Sequence, residues 1–129
     1  MEIELTYKTD VHRRLCIKKD LIELSQWIDI LSSINVELDY LKLIEKQLIK
    51  QSSIEMDLQT LRRKNTLLMG MLCKYEQELN TEHEYGKVEY NVKRAKDHEK
   101  KREVHVSFIQ EFTRLKLVIY QKISMYQRS

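Results

Sequence analysis

Four histidines, two cysteines and one run of basic residues are the parts of this 129-residue chain whose types suit chemistry. A carboxylate-bridged metal site in a helical bundle draws on Glu-x-x-His pairs that face inward. The residues three positions before His12, His83, His98 and His105 are Thr9, Asn80, Ala95 and Arg102, and none is a carboxylate. No His-x-x-x-His spacing occurs. His98 and His105 stand seven apart on one helical face, but Arg102 lies between them and its charge opposes a cation. Neither a metal nor another cofactor is expected. Cys16 and Cys73 have no CxxC or paired spacing, so they form neither a zinc site nor a disulfide framework. They read as buried, reduced thiols of a cytoplasmic protein.

No glycine-rich phosphate loop and no nucleophile elbow is present, and with two glycines the chain has little material to build either. No catalytic residue is nominated, and the chain is not expected to be an enzyme. The basic run spans 87–102, where Lys87, Lys93, Arg94, Lys96, Lys100, Lys101 and Arg102 face Glu89, Asp97 and Glu99. Such a helix can neutralise phosphates, and Tyr85 and Tyr90 beside it can stack on bases. On a helical wheel these cations flank a weak apolar stripe instead of forming one ridge, which favours a solvated face. Arg62-Arg63-Lys64 is a shorter basic cluster. Tyr75, Tyr120 and Tyr126 lie on apolar or mixed faces and read as core or rim packing.

The elements that must position these residues follow from what the chain lacks. It has no proline, two glycines and one alanine, and 42% of its residues are hydrophobic. Large aliphatics recur at three- and four-residue steps, the mark of long helices. The expected fold is all-α, a single domain over 1–129. It is an elongated antiparallel three-helix bundle with coiled-coil-like packing and a short extended N-terminal arm over 1–9. The arm rests on the alternation of Ile3, Leu5 and Tyr7 with polar residues, and Thr9 or Asp10 would cap the helix after it. Helix 1 is expected over about 11–50, on a seam of Ile17, Leu21, Leu24, Ile28, Leu31, Ile34, Leu38, Leu41 and Leu48. Trp27, Ile30 and Ile44 widen that seam to about half the circumference, more than one neighbouring helix covers.

Gln51-Ser52-Ser53 marks a break, with Ser52 and Glu55 at capping-box spacing. Helix 2, about 53–85, carries the heptad Ile54, Leu58, Leu61, Asn65, Leu68, Leu72, Tyr75, Leu79. Asn65 either fixes register or sits at a wet edge. Gly70 in mid-helix suggests a close helix crossing. Beyond Leu79 a weak stripe of Tyr85, Val88, Val92 and Ala95 opposes a later one of Val104, Phe108, Phe112, Leu115, Ile119, Ile123 and Tyr126. The chain therefore turns, with Gly86 as a candidate helix end, and helix 3 is expected over about 87–127.

These features imply a non-catalytic protein that self-associates, a dimer being favoured, with Trp27, Ile30, Ile34, Leu41 and Asn65 as interface candidates. Nucleic-acid binding through 87–102 is one alternative. An adaptor or chaperone that sheathes a partner helix is another. The formal charge of +3 does not by itself imply nucleic acid. No stretch is apolar enough to span a membrane, and the N-terminus shows no signal peptide.

Overall fold

The computed structural model describes residues 2–86 and 89–125. Three helices make up the bundle. α1 spans Glu2–Ile44 and continues through a π turn at Glu45–Ile49. α2 spans Ser52–Tyr85 and α3 spans Val92–Ser124. Contacts between side chains fix their directions. Arg62 of α2 bonds Asn35 and Asp39 of α1, and Arg13 near the start of α1 bonds the carbonyl of Glu82 near the end of α2. These two helices therefore run in opposite senses. α3 runs with α1, since Arg102 meets Glu23 and Lys116 meets Glu37. Among the described residues no strand is present.

The extended arm is a correction: α1 already begins at Glu2. No proline or glycine separates 2–9 from the amphipathic run after it, so the helix propagates at little cost. Asp10 does not cap. It pairs inside the helix with Arg13 at 2.7 Å and Arg14 at 3.2 Å.

All eight heptad positions of α2, from Ile54 to Leu79, are buried. Their partners on α1 are Ile17, Leu24, Trp27, Leu31, Ile34, Leu38 and Leu41, also buried, while Leu21 and Ile28 are half-buried. Asn65 is 2% exposed and donates from Nδ2 to the carbonyl of Leu31 at 3.1 Å. It thus ties α2 to α1 at one height, and the wet-edge alternative falls away.

The first connection differs from the capping-box expectation. The π turn closes through the Lys50 amide on the Glu45 carbonyl at 2.7 Å, and Lys50 is left-handed at φ 55°. The wider turn sets Ile49, not Leu48, against the core, and Leu48 is exposed. Gln51 takes the N-cap position without a side-chain bond, which leaves Ser52 inside the helix. Gly70 is exposed, and an added Cβ there would meet nothing within 4 Å, so no close crossing explains it.

α2 ends at Tyr85, within the expected break, and Gly86 follows in extended backbone. A Cβ on Gly86 would collide with the Glu82 side chain and carbonyl, so close approach and not a left-handed φ requires glycine here. α3 starts at Val92 because Asn91 caps it, its side chain accepting from the Arg94 amide at 3.1 Å. The buried positions of α3 are His98, His105, Phe108, Phe112 and Ile119. Two histidines thus carry the seam toward the N-terminus of α3. Val104, Tyr85, Val92 and Ala95 are exposed instead. The opposed stripes do not force a change of core, since a single seam with polar members runs the length of α3. Val88 and Tyr126 lie outside the described residues.

Candidate functional site

Near the end of the bundle where α2 meets α3, the core turns polar. α1 contributes Asp20, Glu23 and Trp27, which share a face at steps of three and four. α2 contributes Tyr75. α3 contributes His98, Arg102 and His105, and the loop before it contributes Tyr90. His98 is the hub at 2% exposure. Its Nδ1 lies 2.7 Å from the Tyr75 hydroxyl, and its Nε2 lies 2.8 Å from Glu23 Oε1 and 3.5 Å from Asp20 Oδ1. Arg102 forks onto Glu23, Nε on Oε2 and an η nitrogen on Oε1, both at 2.7 Å, and also holds Glu99. The Tyr90 hydroxyl donates to Asp20 at 2.5 Å. Trp27 stacks on His98 at 5.0 Å and on His105 at 5.5 Å between ring centroids.

Charge and burial set the acid–base character of this layer. The Arg102 fork, with help from His98, holds the Glu23 carboxyl down to about 2 from an ordinary 4.5. The same pair raises Arg102 further above its already high range. Burial pushes both tyrosine hydroxyls up, with Asp20 adding to the effect at each. Burial alone pushes His105 down, and its Nδ1 is buried without a hydrogen-bond partner.

Asp20, Glu23 and His98 also bring three potential metal-ligand atoms within 4.8 Å of one another. The Glu-x-x-His search along single helices does not see this set, because it assembles across α1 and α3. As placed, the set fits an ion-pair network better than a cation. Both Glu23 oxygens accept from a guanidinium, whose charge stands where an ion would need to be. A groove of about 640 Å³ opens beside the layer, walled by Asp20, Tyr75, Tyr90, Arg94, Asp97 and Lys101. Its lining mixes both charge signs, and Thr81, a hydroxyl on its edge, is occupied by the Gln77 carbonyl at 3.0 Å. The cysteines are half-buried, not fully buried, and Cys16 Sγ lies 3.5 Å from His12 Nε2.

The second notable surface is the outer side of α1. Tyr7, Val11, Leu15, Ile22, Val36, Tyr40 and Leu43 are all exposed, from 37% at Val11 to 70% at Tyr7. At 100° per residue they fall within an arc of about 80°. That arc is opposite the one holding Ile17, Leu24, Leu31 and Leu38. The broad apolar face legible in helix 1 is largely spent on α2 and α3, and the outward stripe is a second one that the seam did not include. A more apolar groove of about 730 Å³ lies between α2 and α3, around Leu67, Met71 and Val104.

The residues singled out from sequence are placed unevenly. Trp27, Ile34, Leu41 and Asn65 are buried in the chain's own core, so they present no interface while this fold is intact; Ile30 is exposed. The two seams had marked four of them as apolar and Asn65 as a polar interruption, without saying which stripe meets which neighbour. Of the basic run, Lys93, Lys96 and Lys100 are exposed. Arg94 turns to Glu82 at 2.7 Å, Lys101 lies 4.3 Å over the Tyr75 ring, and Arg102 holds Glu23. Lys87 lies outside the described residues. Asp20 and Glu23 were missed, the signal being Asp20-x-x-Glu23 with Trp27 one turn on, and Tyr90, read as a base-stacking candidate, turns instead to Asp20. No described helix is long and apolar enough to cross a membrane. No protein-family model, curated protein or solved structure matches the chain.

Proposed function

We propose that this chain is a non-catalytic helical-bundle protein that acts by self-association, and that the outer face of α1 is the surface it uses. The observation that carries this reading is the stripe from Tyr7 to Leu43, seven exposed large side chains on one narrow arc. Single exposed aliphatics need no explanation, whereas seven on one arc, in two groups over 7–22 and 36–43, mark an interaction surface. If each side chain covers about half of roughly 150–200 Å², the strip offers on the order of 600 Å² per copy, near the roughly 800 Å² of a standard interface. The polar layer supports the same reading, since its donors and acceptors are largely spent on one another.

Light scattering on a sizing column tests the proposal. The expected mass is about twice 15.7 kDa, and Ile22→Glu should halve it while circular dichroism keeps its helical signal. A monomer at every concentration up to the millimolar range would sink the reading. A second reading, nucleic-acid binding, retains Lys93, Lys96 and Lys100, which are exposed on one face of α3. Binding through them would weaken steeply with salt. A partner helix of another protein seated on the α1 stripe, the adaptor alternative, would leave the isolated chain monomeric.

A further inference from the structure

The α1 stripe carries a pattern that specifies how two copies would meet. Between its apolar ends lie two charged residues, Lys18 and Asp29, both exposed and without an ion pair among the described residues. Count outward along α1 from the midpoint between residues 23 and 24. Lys18 and Asp29 are then equidistant from that point and opposite in sign. A two-fold axis through it lays a second α1 antiparallel on the first, with Lys18 level with Asp29 of the second copy, twice per dimer. The same register sets Val11 level with Val36 and Tyr7 level with Tyr40, apolar against apolar. It also sets Ile22 level with Ser25 and Leu15 level with Ser32, large against small, which allows close approach of the two helices. Ser32 already donates to the Ile28 carbonyl at 3.1 Å, so covering it leaves no unsatisfied hydroxyl. A parallel pairing would instead set Lys18 against Lys18 and Asp29 against Asp29.

We infer that the occupant of the outer face of α1 is a second copy of this chain, docked antiparallel about a two-fold axis near residues 23–24, with reciprocal Lys18–Asp29 pairs setting the register. The inference rests on the self-association reading and adds a partner geometry to it. An isologous contact repeats each complementary pair, so one substitution acts twice.

Sedimentation equilibrium on the native chain and three exposed-surface variants tests it. Lys18→Glu and Asp29→Lys should each weaken the dimer about 10-fold or more, because both reciprocal pairs become repulsive. The double variant K18E/D29K, which swaps the charges within one chain, should dimerise within about threefold of native. Circular dichroism should show all four chains equally helical. A dimer that ignores the single changes, or a swap that fails to restore it, overturns the register while leaving self-association standing. A native chain that stays monomeric overturns both.

Discussion

Replacing Glu23 by glutamine tests what the ionised carboxylate contributes to the polar layer. The amide keeps the shape and one acceptor oxygen, while its NH2 cannot accept from Arg102, so the change removes the charge and one of the two fork bonds. In the native fold that carboxyl is held at about 2 against an ordinary 4.5. At about 1.4 kcal/mol per tenfold change in acidity, this difference corresponds to about 3 kcal/mol. About a third of the side chain is exposed, 31%, and solvent screening reduces the figure to about 1–2 kcal/mol. The sign follows from proton uptake. Between pH 4.5 and about 2 the unfolded chain binds a proton at Glu23 that the folded chain does not. The contribution is therefore complete above pH 4.5 and is lost as pH falls toward 2. Urea denaturation at pH 7, 4 and 3 should show Glu23→Gln less stable than native by about 1–2 kcal/mol at pH 7, with the gap closing as pH falls. A gap that is absent at pH 7, or that stays constant down to pH 3, would refute the reasoning.

Two further perturbations have signs fixed by the structure. Gly70→Ala should raise stability by about 1 kcal/mol, a few degrees in Tm, because the added methyl meets open space; a loss measured by calorimetry would mean that something covers Gly70 in solution. His105 is buried, its Nδ1 lacks a partner, and burial holds its protonation below the ordinary 6.5. The unfolded chain takes up that proton first, so this residue costs stability as pH falls below 6.5. His105→Phe should flatten the decline between pH 7 and 5, read from thermal melts at the two values; an unchanged slope would count against the buried, neutral imidazole.

Much of the architecture was legible because it rests on periodicity. The α2 heptad marked eight buried positions and the helix end beside Gly86 follows from the residue there, while the turn falls at Lys50–Gln51, just before the expected serines. The errors about burial share one cause. Period and spacing describe one helix at a time, whereas burial depends on which helix lies opposite. Helix 1 read as one broad apolar face, which the bundle spends inward through Leu24, while the exposed stripe through Ile22 lay outside the seam read from sequence. For the same reason Trp27 and Asn65, proposed for an interface, are core. The polar layer was legible in fragments. His98, His105 and Arg102 were recognised as sharing a face, but their counterparts Asp20 and Glu23 lie about 75 residues earlier. The π turn had no signal of its own: Glu45–Ile49 reads as ordinary helix until Lys50 adopts a left-handed backbone.

Trp27 gives the protein a built-in optical reporter. It is the sole tryptophan of the chain, and it is pressed against the His98 and His105 rings. Indole emission is quenched by a neighbouring protonated imidazole and shifts to longer wavelength when water reaches the ring. Its emission therefore reads the interior polar layer alone, without any label. Dimerisation along the far side of α1 should leave that signal unchanged, whereas loosening of the layer should move it. One cuvette measurement thus separates events inside the bundle from events on its outer face.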